Sequence, residues 1–219
     1  LQELRTQDMK MIMLGSHPGI IQSILDYDFL IGRGEPSITA IIAKGRKMER
    51  YFWGESEVVI PVVPSVQALG QQQDLCKVVV NVQSARRVLS STKEVLELLP
   101  NLKVVVIFAE QTPEVHSLEL RKIADEKNIL IAGPSSVGLL LPGFAKIGAI
   151  GGTQHKQIVA AKITKPGDTA VLSTSGGMVN ELVHTVTGAG LGVSFALALG
   201  GDRFPITDPI AAVLAAQED

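Results

Sequence analysis

The chain has 219 residues, a formal net charge of −2, and 46% hydrophobic but only 4% aromatic residues. That length holds one large or two smaller domains, and the near-balanced charge argues against a nucleic-acid or membrane-surface binder. The lone Cys76 excludes an internal disulfide framework and fits a reducing, cytoplasmic setting; no apolar run approaches the roughly 20 residues of a membrane helix, and the polar first residues do not read as a signal peptide.

Residues 10–14 (KMIML) predict a first strand, and Gly15-Ser16-His17-Pro18-Gly19 a tight loop with Pro18 near a helix start. Strand, Gly-containing loop and helix make the opening of a nucleotide-binding βαβ unit or a plain βα turn, since the loop is not G-x-G-x-x-G. His17 reads as a polar loop residue. Residues 29–31 form a short apolar piece and 33–37 a turn. Residues 38–43 (ITAIIA) are a second buried strand. Lys44, Arg46, Lys47 and Arg50 then cluster beside Tyr51, Phe52 and Trp53. Cations beside aromatic rings suit a phosphorylated, ring-bearing ligand, or else form a solvated basic loop whose aromatics cap the sheet.

Residues 58–63 (VVIPVV) are a strand that Pro61 should confine to an edge or end early. A short helix around 66–73 leads to a central strand at 77–82, with Ser84 and Arg86 at its carboxyl end and Val88, Val95, Leu96 and Leu99 on the inner face of the next helix. Residues 103–109 (KVVVIFA) end at Glu110. A helix then runs from Pro113 to about Lys127, and a strand at 129–132 ends at Gly133-Pro134-Ser135. Alternation of apolar strands with amphipathic helices means a doubly wound parallel sheet with right-handed crossovers, whose ligands bind beyond the carboxyl ends of the strands. The candidates at that edge are the Gly15 loop, Arg33, the basic-aromatic loop, Ser84 with Arg86, Glu110 and Ser135.

The Gly/Pro-punctuated stretch from 142 to 168 reads as a linker, giving a first domain over 9–150 and a second over 151–219. In the second, 169–181 (TAVLSTSGGMVNE) is strand, small-residue turn and helix start. The first amides of a helix lack partners and sit at its positive end, so Ser175, Gly176 and Gly177 read as an anion seat for phosphate or carboxylate, or as an ordinary turn with a serine cap. A strand at 193–199, a Gly200-Gly201 loop and a helix from about Asp208 complete the chain. With two strands, this second sheet is expected to be incomplete.

GPSSVGLLLPGFAKIG (133–148), STSGGMVNEL (173–182) and GGDRFP (200–205) resemble the α-type half of the succinyl-CoA synthetase superfamily. GRGEPS (32–37), YFWG (51–54), the paired glycines of SGGM and the Arg of GGDRFP bring the resemblance nearest to its ATP-citrate lyase and citryl-CoA synthetase branch. The resemblance implies a Rossmann-like CoA-binding domain followed by the start of a flavodoxin-like domain. It implies CoA along the first sheet's carboxyl edge at Gly15, Ser16, Arg33, Tyr51, Phe52, Ser84, Arg86, Ala109, Glu110 and Ser135. It also implies that Ser175, Gly176 and Gly177 receive the phosphate of a phosphohistidine or a citrate carboxylate. ATP and Mg belong to a partner ATP-grasp (β-type) subunit or domain, in an oligomer. The family's histidine stands in a G-H-A-G-like loop, expected beyond Asp219. His17, His116, His155 and His184 do not match that loop, and no metal site is expected. The Gly15 loop also lacks the polar residues that usually follow the family's first glycine. A succinyl-CoA synthetase-like ligase subunit and a non-catalytic CoA-binding module are the alternative readings.

Overall fold

The computed structural model describes residues 1–217, leaving aside the side chain of Ala215. In chain order the elements are β1 (Lys10–Leu14), α1 (Pro18–Leu30), β2 (Ile38–Ile42), β3 (Met48–Trp53), β4 (Ser56–Val63), α2 (Gln72–Leu75), β5 (Cys76–Asn81), α3 (Ala85–Leu98), β6 (Val104–Ile107), α4 (Glu114–Lys127), β7 (Leu130–Ala132), β8 (Gly138–Leu141), β9 (Ala145–Gly148), α5 (His155–Ala160), β10 (Thr169–Ser173), α6 (Gly176–Gly188), β11 (Val193–Ala198) and α7 (Pro209–Ala216). They form a seven-stranded sheet ordered β3-β4-β2-β1-β5-β6-β7 and a four-stranded sheet ordered β10-β11-β8-β9.

The first sheet is parallel except for β3, which runs antiparallel to β4. Its near-continuous Val/Ile/Met runs are what a strand buried on both faces requires. One face (Ile12, Leu14, Val79, Val105, Ile107) packs on α3 and α4 through Val88, Val95, Leu96 and Leu120. The other face (Met11, Met13, Val78, Val80, Val104, Val106) packs on Ile20, Ile21, Ile24 and Leu25 of α1. The strand order reverses at β1, whose neighbours are β2 and β5. A crevice between the carboxyl ends of β1 and β5 is therefore the topological switch point, where ligands of such sheets bind.

Four local expectations change. Residues 29 and 30 end α1 rather than forming a separate piece. The basic-aromatic segment is not a loop, since residues 48–53 pair with β4 from Met48↔Pro61 to Trp53↔Ser56. Strand β4 is not the edge. Its pairing to β2 is confined to Ile41↔Val62 and Ile42↔Val63, just past Pro61, because proline brings no N–H to a ladder. The stretch 142–168 is not only a linker, for it carries β9 and α5, and His155 opens α5.

The hairpin β8–β9 pairs antiparallel with β11 through Ala196↔Leu140 and Leu197↔Leu139, so the second sheet has four strands rather than two. Its inward residues Leu139, Leu141, Ile147, Phe195 and Leu197 join the core of the first sheet, which thus runs without a break across position 150. The opposite face (Leu140, Val171, Ala196, Ala198) is covered by Ile158 of α5 and Val179 and Val183 of α6.

Polar groups fix this joint. Tyr27 donates its hydroxyl to Ile163 O (2.7 Å) and accepts from Gly143 N (2.9 Å). Lys146, fully buried, donates to Ser23 Oγ on α1 (2.9 Å) and to Gly148 O (2.7 Å). With no carboxylate in ion-pair reach among the described residues, burial pushes its amine down to about 7 despite the fields of Asp26 and Asp28. Two acceptors match the two N–H groups of a neutral amine. Between about pH 7 and the usual lysine value near 10.4, the unfolded chain binds a proton that the folded chain does not, so stability rises with pH across that window. Replacing Lys146 with Met should remove a slope of about 1.4 kcal/mol per pH unit from that window, read as the wild-type-minus-variant difference in denaturant melts at pH 7, 8, 9 and 10. Parallel curves would show that the amine stays charged in the fold.

Candidate functional site

Loops at the carboxyl ends of both sheets face a common region. At the switch point, Gly15 N bonds Ile42 O (2.9 Å) and Val82 N bonds Leu14 O (3.0 Å), which carries the ladder past the strand ends. Gly15 holds φ +87°, and a Cβ there would lie 3.3 Å from both Val82 and Gln83, so the β1 and β5 loops approach closely only around a glycine. Buried Asn81 accepts from Gln83 N (3.0 Å) and donates to Ser91 and Thr92, fixing the loop that ends at Ser84. Ser84 is the N-cap residue of α3 but makes no side-chain cap bond. Arg86, the second residue of α3, is exposed, and its guanidinium makes no hydrogen bond or ion pair among the described residues. His17 caps α1, Nδ1 accepting from Ile20 N at 3.3 Å.

Around the β2–β3 connection, Ser16 Oγ donates to Glu49 Oε2 (2.8 Å), the Tyr51 hydroxyl donates to the same oxygen, and Arg46 Nη1 stands 3.5 Å from Glu49 Oε1. A cavity of about 280 Å³ lies among Ser16, Pro18, Ala43, Lys44, Arg46 and Glu49. Burial first, then the neighbouring Glu49 carboxylate, raise the Tyr51 phenol above its ordinary value.

Not all candidate residues share this edge. Alternation on β3 turns Tyr51 inward and leaves Phe52 63% exposed on the opposite side, so the two rings do not line one surface. Arg33 sits between α1 and β2, hence at the amino edge. It is buried, donates to Met9 O (2.8 Å), and lies 3.7 Å from Asp28. Its place in the carboxyl-edge set is thus corrected: a helix that leaves one strand's carboxyl end returns the chain to the next strand's amino end. Asp28 itself is raised to about 6, because burial outweighs the hydrogen bond from Ser37 and the attraction of Arg33.

The remaining loops are stitched together by backbone. Ser135 N bonds Ala109 O (2.8 Å), Gly201 N bonds Ser135 O (3.0 Å), Gly133 N bonds Leu199 O (2.8 Å), and Leu199 N bonds Ser173 O (2.8 Å). Gly200 makes this possible: at φ +121°, a Cβ would stand 2.3 Å from Pro134 O. Asp202, which the sequence did not single out, accepts from Gln111 N (3.2 Å) and Thr112 N (3.0 Å) and so pins the loop after Glu110. Ala109, Glu110, Ser135 and the start of α6 are thereby held near one another. Ser175 caps α6, accepting from Met178 N at 3.3 Å, while Ser173 Oγ accepts from Ser175 N at 3.1 Å. Among the described residues the amides of Gly176 and Gly177 have no acceptor.

Among the described residues no group of His, Cys, Asp and Glu could hold a metal, and no helix is long and apolar enough to cross a membrane. His116 and His184 lie within α4 and α6. The position where the family's histidine was expected, past Asp219, lies outside the described residues.

A parallel sheet with its topological switch point at β1/β5, backed by a second α/β sheet that presents a serine-capped helix start, is a succinyl-CoA synthetase-like fold. The chain is a homologue of ATP-citrate synthase. It is 37% identical over 207 residues to the probable ATP-citrate synthase subunit 1 of Schizosaccharomyces pombe, covering 94% of this chain and 33% of that protein. Human ATP-citrate synthase is 35% identical over 204 residues, covering 92% of this chain and 18% of that protein. The chain thus spans about a third of the fungal subunit. The structure of ATP citrate lyase from Methanothrix soehngenii, in complex with citrate and coenzyme A, superposes with TM-score 0.93 at 29% identity, over 99% of this chain and 35% of that one. A dinucleotide-forming acetyl-coenzyme A synthetase from Ca. Korarchaeum cryptofilum shares the fold at TM-score 0.67 and 16% identity, over 96% of this chain and 42% of that one. No protein-family model matches the chain.

The two glycines at the α6 start should respond differently to substitution. A Cβ on Gly176 would meet Val137 at 2.6 Å, whereas one on Gly177 meets nothing within 4 Å. Gly176→Ala is expected to cost about 1–3 kcal/mol through overpacking, measured by urea melts. Gly177→Val should leave the stability within about 1 kcal/mol of wild type and instead obstruct these two amides. Equal losses of stability for the two variants would contradict the geometry.

Proposed function

We propose that the chain is the CoA-binding, α-type part of an ATP-dependent citrate–CoA ligase or lyase, acting with an ATP-grasp partner that holds ATP and Mg, in a cytoplasmic oligomer. The supporting observation is that the carboxyl edge of the first sheet is bonded, through the loops after β6 and β7, to the loops that follow β10 and β11 beside the α6 start, at residues 133–136 and 198–201.

The residues suit CoA. The chain offers an unengaged guanidinium at Arg86, the Lys44 and Arg46 cations at a cavity, and serine and backbone groups at Gly15, Ser16, Ser84, Ala109, Glu110 and Ser135. CoA phosphates take charge-assisted bonds from such cations, while the extended remainder of the molecule needs the strand-end loops as a track. At α6, the amides of Gly176 and Gly177 and the positive end of the helix suit a phosphoryl group or a citrate carboxylate.

In the chemistry this implies, a phosphoryl group carried by a histidine passes to a citrate carboxylate. The CoA sulfur then attacks the acyl carbon and phosphate leaves, giving the thioester. The α6 start would hold the charge of the transferred group at fixed dipoles that need no reorganisation. A lyase further cleaves citryl-CoA to acetyl-CoA and oxaloacetate, for which the 219 residues carry no assigned group.

Calorimetry tests the reading. CoA should bind the 219-residue chain, and Arg86→Ala should weaken binding by about 10- to 100-fold, the worth of one charge-assisted contact. No heat of binding with wild-type protein at millimolar CoA would overturn the reading; unchanged affinity in Arg86→Ala would remove that residue from the site.

A further inference from the structure

The Glu49 carboxylate is buried at the floor of the cavity beside the Gly15 loop, on the inward face of β3 next to Tyr51. Its three partners come from three segments: Ser16 from the β1 loop, Arg46 from the β2–β3 connection and Tyr51 from its own strand. The hydroxyl protons of Ser16 and Tyr51 are both directed at Oε2, so Ser16 turns lone pairs, not a donor, towards the cavity. The floor is therefore acceptor-rich, with Oε1 and Ser16 Oγ available. The walls are cationic, with Lys44 exposed and the Arg46 guanidinium among the lining groups, 3.5 Å from Oε1.

A pocket with acceptors at its floor and cations at its rim fits a group that carries a hydroxyl next to a phosphate. A bare phosphate does not fit, since it would meet the carboxylate with no donor between them. In Rossmann-type sheets an acidic residue beyond the second strand accepts from a ribose hydroxyl. Glu49 stands beyond β2 but on the following antiparallel strand, and it reaches the crevice because β3 folds back along β4. We propose that Glu49 accepts the free 2′-hydroxyl of the phosphorylated ribose of CoA, with Lys44 and Arg46 on the neighbouring 3′-phosphate, making Glu49 a selectivity residue for the ribonucleotide end of the ligand. This rests on the CoA reading above.

The test is calorimetry on the full 219-residue chain with CoA and with 2′-deoxy-CoA, on wild type, Glu49→Gln and Glu49→Asp, with a thermal melt of each variant. Wild type should prefer CoA about tenfold or more, the worth of a hydrogen bond to a charged acceptor. Glu49→Gln should bring the two ligands within about twofold of each other, and Glu49→Asp should restore part of the preference. A purely structural role would weaken both ligands equally and leave their ratio intact, which would overturn the proposal. So would a wild-type protein that binds both ligands equally well, and in either case the CoA site itself would stand. Failure of wild type to bind either ligand would remove the parent reading and this one together. Should Glu49→Gln melt well below wild type, Ser16→Ala supplies a second measure. It deletes one acceptor and leaves the carboxylate in place, so it should lower the ribose preference only in part; an unaltered preference would count against the assigned floor.

Discussion

The backbone stitching between residues 133–136 and 198–206 is the constraint on which the rest depends. Gly133 takes part twice, donating to Leu199 O and accepting from Ile206 N, and Ser136 Oγ adds a bond to Ala198 O at 2.6 Å. These bonds join β7, the last strand of one sheet, to the loop that leaves β11, a central strand of the other. Main chain can come this close only where no side chain intervenes, so the small residues at 200 and 201 serve geometry before they serve any ligand. Thr207 continues the seam, its hydroxyl bonded to both N and O of Ile131, so the outer edge of β7 does not present an open ladder there.

The two regions proposed to accept ligand would work by different physics. The α6 start offers amides fixed by the helix and by the Ser175 cap, so its field does not move when charge moves. The switch-point crevice would rely on long side chains. Arg86, Lys44 and Arg46 are exposed and must lose rotamer freedom to grip a phosphate, a cost that fixed amides avoid. Such a division suits a small group that changes charge at one end and a large cofactor that only needs holding at the other. Within the crevice, Glu49 would offset that cost in part, because Arg46 is already held at 3.5 Å from its carboxylate.

Much of the first sheet was legible because buried parallel strands write themselves as apolar runs and their helices as periodic faces. Three features were hidden for physical reasons. Strand β9 of the β8–β9 hairpin sits in a Gly/Pro-rich stretch whose glycines permit close strand approach, and the same glycines read as linker. Strand β3 alternates exposed Met48, Arg50 and Phe52 with buried Glu49 and Tyr51, so a buried carboxylate occupies the place where an apolar residue would have signalled a strand. Glu49 carries no local sign of its role, since Ser16, the partner that defines it, lies 33 positions away. Arg33 failed differently, for its residue type fitted a phosphate but its connection put it on the wrong edge. By contrast, the serine cap of α6 follows from a contiguous motif, and for that cap the local reading of the sequence was sufficient.

The buried amine of Lys146 has a consequence for the heat of folding. In mildly alkaline solution the unfolded lysine is protonated and the folded one is not, so closing the joint between α1 and β9 hands a proton to the solvent. The enthalpy measured for folding then contains the ionisation heat of whichever buffer receives that proton. Two laboratories working at the same pH in phosphate and in Tris would obtain different calorimetric enthalpies for the same protein, and the difference, divided by the difference in buffer ionisation heats, would count the protons released.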